Sequence, residues 1–129
     1  MSEALISIII PVFNGEKFLS NCFKIINEQD YHNLEIIFVD NNSKDNSFNV
    51  LKKYCSSRAN SFVYKCSKQS PAAARNIGIK YSNGIYLSFL DVDDSITPSK
   101  YTKLYSVAKK YPDYKVFFGI GRKEMINGN

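Results

Sequence analysis

The stretch IYLSFLDVDDSITP, residues 85–98, decides the fold, because an apolar run of strand length ends abruptly in acidic side chains. Asp91, Asp93 and Asp94 fall within four positions directly after Leu90. Crowded carboxylates repel one another unless a positive charge lies among them. The stretch therefore predicts a buried strand whose end is built to receive positive charge.

Working outward, similar apolar runs alternate with amphipathic segments along the whole chain. Runs that predict strands lie at 5–12, 34–39, 61–66, 85–90 and 115–120. Helix-like segments separate them, and polar residues at their starts predict N-terminal caps at Asn14, Ser43, Ser70 and Thr97. Strands that alternate with helices predict an α/β fold, with a mostly parallel sheet covered by helices on both faces.

Length and composition indicate one ordinary globular domain. The chain has 129 residues, 44% hydrophobic and 22% charged. Its longest apolar run is far shorter than the ~20 residues that span a bilayer, and no signal peptide is predicted. Three cysteines without paired spacing indicate reduced thiols in a cytoplasmic protein, and His32, the single histidine, excludes a multi-histidine metal site.

The net charge of +5 comes entirely from the end of the chain. Residues 99–129 carry seven lysine or arginine residues and two acidic residues, whereas residues 1–98 are balanced. A basic patch can attract anionic lipid or nucleic acid. Scattered lysines are more typical of a solvated helix face, which is the interpretation we favour from the sequence.

Ligands of parallel sheets bind beyond the carboxyl ends of the strands, which directs attention to residues 11–15, 40–44, 67–72 and 91–97. The first of these loops, PVFNG, is not the GxGxxG turn of dinucleotide-binding enzymes. The chain also lacks the GxxxxGK[ST] phosphate loop. Nicotinamide dehydrogenases and P-loop NTPases are therefore disfavoured.

Several side chains in these loops suit a nucleotide. Phe13 can stack on a flat ring, although a core phenylalanine is the alternative. Asp40 can accept hydrogen bonds from a ribose or a base N–H, and Asn41 can bind a base edge, unless both merely form the turn before Ser43. Arg75 can reach a phosphate through two hydrogen bonds or pair with the acidic stretch.

The acidic stretch itself predicts a metal site. Asp91 and Asp93 can point the same way from a strand end and share one divalent cation, Mg²⁺ or Mn²⁺, through oxygen ligands. Such sites leave positions for water and for substrate phosphates. Asp94 and Ser95 are interpreted as turn residues that serve the following helix.

These pieces, in this order, resemble the nucleotide-sugar-binding half of family 2 glycosyltransferases, which have the GT-A fold. The matching stretches are SIIIPVFNGEKFL, EIIFVDNNSKDNS and AAARNIGIKYSNGIYLSFLDVDDSITP, and the resemblance covers residue 5 to about residue 111. It implies a Rossmann-like, mostly parallel sheet. Each motif is weak alone, but together they are specific.

The resemblance also implies roles for particular residues. Pro11, Phe13 and Asp40 would line the base and ribose pocket. Asn41 stands where the family often has a second aspartate, which leaves both UDP- and dTDP-linked donors open. Arg75 would lie near the diphosphate. Asp91 and Asp93 match the family's DxD element, in which Asp91 would face the ribose or the metal and Asp93 would bind the metal.

The implied activity is inverting transfer of a hexose from a nucleoside-diphosphate sugar to a glycan or lipid-linked acceptor, in polysaccharide biosynthesis at the cytoplasmic membrane face. Peripheral membrane contact agrees with the basic end, and no nucleic-acid partner is implied. The family's catalytic base lies downstream of DxD, where this chain offers Asp113 and Glu124, neither of them convincing. Residues 1–129 are therefore interpreted as a single nucleotide-sugar-binding domain that ends before the acceptor-binding region and is inactive alone.

Two other hypotheses stay open from the sequence. A metal-dependent sugar-phosphate nucleotidyltransferase also uses an α/β sheet and aspartate-held metal, but PVFNGEKF is a poor match to its glycine-rich loop. A non-catalytic module that binds nucleotide or membrane would leave the aspartate pair unexplained.

Overall fold

The computed structural model describes residues 3–115, and strands and helices alternate strictly along them. The strands are β1 (Ile6–Val12), β2 (Leu34–Asp40), β3 (Ser61–Lys65) and β4 (Tyr86–Phe89). The helices are α1 (Glu16–Asn27), α2 (Ser47–Ser57), α3 (Pro71–Tyr81) and α4 (Lys100–Lys110). The four strands predicted within this range are confirmed to within a residue or two at each end. The fifth predicted strand, 115–120, extends outside the described residues.

All strand pairs among these residues are parallel, in the order β3-β2-β1-β4. The chain moves outward from β1 to β3, then returns past β1 to form β4. The direction of strand order therefore reverses between β1 and β4. In open parallel sheets the crevice at such a reversal is the usual ligand site.

Pro11 lies where β1 and β4 separate. Alternate residues of β1 bond to β4, and the last of these contacts is the bond from the Leu90 N–H to the Ile9 carbonyl, 3.0 Å. Pro11 is the next residue on that side, and it has no N–H to donate. A proline is tolerated in this central strand because the ladder to β4 has already ended.

Helices cover both faces of the sheet, as predicted. One face carries α1, α2 and α4, and its core includes Ile8, Ile10, Leu19, Leu51 and Tyr101. The other face carries α3 over a smaller cluster that includes Ile9, Ile37 and Ala74. Burial of each large apolar side chain contributes about 1.5–3 kcal/mol, so the first face supplies most of the stability.

Helix α3 packs unusually close to the sheet because Gly78 faces it. A Cβ at Gly78 would overlap Ile9 Cγ2 and would lie 3.1 Å from Ile9 Cγ1. Ala74, one turn earlier, is also buried. The side of this helix that faces the sheet is thus formed by the small residues Ala74 and Gly78, whereas Ala72 is exposed.

The predicted caps are partly wrong. Ser70 does cap α3, since its Oγ accepts a hydrogen bond from the Ala73 N–H at 3.3 Å. Asn14 and Ser43 do not cap α1 and α2, whose N-cap residues are Gly15 and Asn46. Helix α4 begins after Ser99 rather than at Thr97. Asn14 and Ser43 do not cap their own helices because the side chain of each bonds to the loop of the other, as described below.

A buried polar network stands at the amino end of the sheet. Glu35 Oε1 accepts from Ser7 Oγ at 2.8 Å and from the Asn83 N–H at 2.9 Å, and Oε2 accepts from Asn83 Nδ2 at 2.9 Å. Ser7 Oγ in turn accepts from the Gly84 N–H at 2.8 Å. A Cβ at Gly84 would lie 2.5 Å from Ser7 Oγ, so only glycine permits this approach. The network fixes the point at which β4 begins.

The remaining composition-based expectations concern thiols and membrane spans. Cys22, Cys55 and Cys66 are free thiols, as predicted, and burial raises the pKa of Cys22 to about 12 and that of Cys55 to about 11. Among residues 3–115, no helix has the length and apolar character needed to cross a bilayer.

Candidate functional site

The loops that follow β1 and β4 meet at the reversal of strand order. Val92, in the acidic turn after β4, packs against Gly15, in the loop after β1. A Cβ at Gly15 would lie 3.2 Å from Cγ1 of both Val12 and Val92, which is tighter than ordinary contact. The backbone of the first loop and the acidic turn are therefore held side by side at the carboxyl edge of the sheet.

The acidic turn after β4 is closed by its own hydrogen bonds. The Asp91 N–H donates to Asp94 Oδ2 at 2.9 Å, and the Asp94 N–H donates to the Asp91 carbonyl at 3.0 Å. Asp94 thus closes this turn instead of serving the next helix. Oxygen ligand atoms of Asp91, Asp93 and Asp94 lie within 4.8 Å of one another, and all three residues are exposed. Carboxylate oxygens at this spacing fit one hard divalent cation.

The electrostatics of the turn favour bound positive charge. Partial burial and the neighbouring charges of Asp94 and Asp93 raise the pKa of Asp91, and the Arg75 guanidinium opposes this effect. Arg75 lies on the exposed side of α3, in the second turn of the helix. The Arg75 guanidinium is near enough to act on the Asp91 carboxylate electrostatically, and its predicted place near the diphosphate stays a prediction.

Asp40 and Asn41, at the end of β2, are both buried, with 4% of each residue exposed. Asp40 Oδ2 accepts from the Ser43 N–H at 3.3 Å, whereas Oδ1 has no hydrogen-bond partner among the described residues. Asn41 Oδ1 accepts from the Ser70 N–H at 3.4 Å, and the Asn41 N–H donates to the Val12 carbonyl at 2.7 Å. An unpaired buried carboxylate oxygen is costly, so Oδ1 needs a further hydrogen-bond donor, which a bound ligand can supply.

Phe13 follows β1 and is 46% exposed, so it is not the core phenylalanine that the sequence left open. Pro11 is half-buried at the mouth of the crevice. A ring at the strand end with a free face can stack on a planar group.

The loops after β1 and β2 are tied together by a set of hydrogen bonds that the sequence did not predict. We call this set the loop clamp, formed by residues 14–16 and 43–47. Three N–H groups of the first loop donate to side chains of the second: Asn14 to Ser43 Oγ (2.9 Å), Gly15 to Ser47 Oγ (3.1 Å) and Glu16 to Asp45 Oδ2 (3.1 Å). In return, the Lys44 N–H donates to Asn14 Oδ1 (2.7 Å) and the Asn46 N–H to Glu16 Oε1 (3.1 Å).

The signal for the loop clamp was visible in the sequence but was interpreted locally. Asn14 and Ser43 have the residue types of helix caps, so the sequence alone assigns each to its own helix. Asn14 and Asn42 adopt left-handed backbone conformations, with φ of 47° and 61°. Asparagine tolerates that conformation better than most residues, and here it turns each loop toward the other.

Comparison with known proteins identifies the family. Residues 7–128, nearly the whole chain, match the family described as glycosyl transferase family 2. The chain belongs to this family. The resemblance inferred from the sequence motifs is confirmed, and with it the class of glycosyltransferases rather than nucleotidyltransferases.

Two relatives in family 2 show the extent of the similarity. An uncharacterized glycosyltransferase of Haemophilus influenzae is 38% identical over 104 residues, which cover 80% of this chain and 42% of the relative. The Escherichia coli UDP-Glc:alpha-D-GlcNAc-diphosphoundecaprenol beta-1,3-glucosyltransferase WfgD is 32% identical over 129 residues, covering 100% of this chain and 49% of the relative. The chain spans less than half the length of both.

Solved structures of glycosyltransferases share the fold. Residues 1–349 of S. aureus TarS, in complex with UDP, have a TM-score of 0.76 at 24% identity, covering 84% of this chain and 33% of that fragment. The mannosyltransferase PcManGT of Pyrobaculum calidifontis, in complex with GDP-Man and Mn²⁺, has a TM-score of 0.73 at 19% identity, covering 86% of this chain and 33% of that protein. The predicted GT-A, Rossmann-like sheet is confirmed.

The structure thus brings most of the predicted family 2 site residues to one edge of the sheet, and their roles in ligand binding stay predictions. Pro11 and Asp40 lie in the last residues of β1 and β2, Phe13 and Asn41 directly follow these strands, and the aspartate pair follows β4. Of the two candidate bases, Asp113 is exposed and follows α4, so α4 separates it along the chain from the loop after β4. Glu124 lies outside the described residues.

Proposed function

We propose that this chain is the donor-binding domain of an inverting glycosyltransferase. It binds a nucleoside-diphosphate hexose together with Mg²⁺ or Mn²⁺, for transfer of the sugar to a glycan or lipid-linked acceptor in polysaccharide biosynthesis. The observation that carries the proposal is Oδ1 of buried Asp40, which has no hydrogen-bond partner within residues 3–115. Asp40 lies at the carboxyl edge of the sheet, at the end of β2. Strand β1 is the neighbour of β2, and its end faces the acidic turn that follows β4.

The hydrogen-bonding groups at the end of β2 suit the edge of a nucleotide base. Asp40 Oδ1 offers an acceptor. Asn41 uses its Oδ1 to accept from the Ser70 N–H, so its amide group has donors to offer. An acceptor beside a donor matches the N3–H and adjacent carbonyl of uracil or thymine, and it also matches the amino group and neighbouring ring nitrogen of cytosine or adenine. The choice among bases therefore rests on the E. coli relative, whose name includes UDP-Glc; it favours a UDP-linked donor, with a dTDP-linked donor as the alternative and Phe13 as the stacking surface.

Asp91 and Asp93 would hold the cation. When bound, the ion supplies positive charge that offsets the charge developing on the departing nucleoside diphosphate. The task of the chain's own residues is to bind and orient. Asp94 fixes the acidic turn through its bond to the Asp91 N–H, and Arg75 adds charge favourable to a diphosphate.

The binding test is calorimetric titration of the chain with UDP, dTDP, CDP and ADP, with and without Mn²⁺. We expect UDP or dTDP to bind more tightly than CDP and ADP, and Mn²⁺ to increase that affinity. Asp93→Ala should abolish the increase, while Asp113→Ala, which removes an exposed acid outside the acidic turn, should keep it. Binding without any effect of Mn²⁺, or equal loss in both variants, would refute the metal assignment.

Transfer by this chain alone is expected to be poor, because among residues 3–115 every acid at this edge already has another assignment. Asp91 and Asp93 are the proposed metal ligands, Asp94 closes the acidic turn, Asp40 faces the nucleotide, and Glu16 and Asp45 belong to the loop clamp. Sugar transfer to a simple acceptor by these 129 residues would show this to be wrong.

Peripheral membrane contact forms a second part of the proposal. Helix α4 and the residues after it, 99–115, carry five lysines and one acid, and exposed Val107, Tyr111 and Tyr114 lie among them. Lysines beside exposed aromatic side chains suit the surface of an anionic membrane, and the name of the E. coli relative includes a lipid-linked acceptor. Salt-sensitive sedimentation with phosphatidylglycerol vesicles, and none with phosphatidylcholine vesicles, is the expected result.

A further inference from the structure

The loop clamp joins two segments that are distant in sequence. Its five hydrogen bonds connect residues 29–32 positions apart, and each loop supplies both donors and acceptors. The N-terminal N–H groups of a helix need acceptors, which a neighbouring side chain usually provides. Here neither the α1 nor the α2 N-cap residue makes a side-chain cap bond. The Glu16 N–H of α1 finds its acceptor on Asp45 in the opposite loop, whereas the Ser47 N–H of α2 donates to Asp45 in its own loop.

The loop clamp continues directly into the proposed nucleotide site. Ser43 Oγ accepts from the Asn14 N–H and lies 3.5 Å from the Val12 carbonyl, while the Ser43 N–H donates to Asp40 Oδ2. One serine therefore connects the end of β1, the loop that follows Phe13 and the carboxylate of Asp40. Because Oδ2 is engaged in this way, Oδ1 is the oxygen left for a ligand.

A second connection stiffens the same arrangement. Asp45 Oδ1 accepts from the Ser47 N–H at 3.0 Å, and its Oδ2 accepts from the Glu16 N–H. These bonds keep the pKa of Asp45 below its usual range, against the opposing effect of burial. Asp45 is exposed, so its two bonds do little for the core, yet they set the distance between the loops.

We propose that Ser43 and Asp45 are positioning residues, which lock the loops after β1 and β2 together and thereby hold the Asp40 carboxylate and Phe13 ready for the nucleotide. This inference rests on the proposed function. Its physical reason is preorganisation: a ligand that meets groups already fixed in place does not have to offset the entropy of ordering them. The role assigned to each residue is indirect: Ser43 acts through Asp40 and through the loop of Phe13, and Asp45 acts through that loop.

The test compares Ser43→Ala with Ser43→Thr and with Glu35→Gln in the full chain. The probe is whichever of UDP and dTDP the wild-type chain binds more tightly, with Mn²⁺, and each variant's Tm is measured beside its Kd. Ser43→Ala removes the acceptor for the Asn14 N–H, and Ser43→Thr keeps a hydroxyl there. Glu35→Gln perturbs the buried network at the amino end of the sheet, away from the site, and serves as a control for lost stability.

We expect Ser43→Ala to weaken binding about tenfold, which corresponds to about 1.4 kcal/mol, and Ser43→Thr to remain within about twofold of wild type. Glu35→Gln should lower the Tm at least as much as Ser43→Ala but leave the Kd within about twofold of wild type. Asp45→Ala should weaken binding in the same direction as Ser43→Ala.

Two outcomes would overturn the inference while the proposed function stands: wild-type affinity in Ser43→Ala, or an equal loss of affinity in Glu35→Gln. A wild-type chain that binds neither nucleotide would overturn both, so the two failures can be told apart.

Discussion

Glu35→Gln should destabilise the protein markedly, because Glu35 is a buried carboxylate whose environment is built around its charge. Three hydrogen bonds reach it, from Ser7 Oγ and from the backbone and side-chain nitrogens of Asn83. Ser7 and Glu35 are paired in the register of β1 and β2, and Asn83 leads into β4. The substitution keeps the size of the side chain and removes its charge.

The magnitude follows from the hydrogen bonds. Bonds to a charged group contribute about 1.5–3 kcal/mol each, and those between neutral groups about 0.5–1.5 kcal/mol. A glutamine can keep the bonds from Ser7 Oγ and the Asn83 N–H through its oxygen, but its NH₂ group then faces Asn83 Nδ2. Relief from burying a charge offsets part of the loss, so we expect a net cost of about 2 kcal/mol. For a chain of this length that cost lowers the Tm by roughly 6–10 °C.

The effect of the substitution should depend on pH. Burial acts to raise the pKa of Glu35, but the hydrogen bonds from Asn83 and Ser7 outweigh it and lower the pKa. A carboxyl group whose pKa is depressed by folding stabilises the native state at pH values above its unfolded pKa. That stabilisation is lost as the pH falls through the folded pKa. The difference between wild type and Glu35→Gln should therefore be largest near neutrality and shrink in acid.

The assay is urea unfolding of both proteins at about pH 7 and about pH 3, with thermal unfolding at the higher pH. Glu28→Gln is the matched control, since it makes the same chemical change at an exposed position and should shift the Tm by no more than about 2 °C. A Tm of Glu35→Gln equal to that of wild type would refute the reasoning. So would a difference in unfolding free energy that stays constant between the two pH values.

Two further substitutions separate binding from folding. Phe13→Ala should reduce UDP or dTDP affinity in calorimetry by roughly 10-fold or more, because stacking on a base contributes about 1–3 kcal/mol. The Tm should change little, because the ring is half exposed. Unchanged affinity would contradict the stacking role. Gly78→Ala should lower the unfolding free energy by about 1–3 kcal/mol, since the added methyl group would overlap Ile9. Asn76→Ala, on the exposed side of the same helix, should not lower it. A Gly78→Ala variant as stable as wild type would show that α3 can move away from the sheet.

The sequence by itself determined the fold class and the location of the site. Apolar runs of strand length that alternate with helical segments admit few arrangements other than a parallel α/β sheet, and the carboxyl ends of parallel strands lie on one edge. The positions of Asp40, Asn41 and the aspartate pair at that edge could therefore be predicted. Ser70, which precedes a proline, could be assigned as a cap because both partners of its bond lie within one turn.

Only the tertiary structure decided how polar groups are paired over long distances. Asn14 and Ser43 look like local caps, yet they bond to each other's loops across 29–30 positions. Glu35 looked like one polar residue in an apolar strand, and its partner Asn83 is 48 positions away. Local sequence fixes which groups need partners, but the strand order brings those partners within reach, so the pairing cannot be known before the fold.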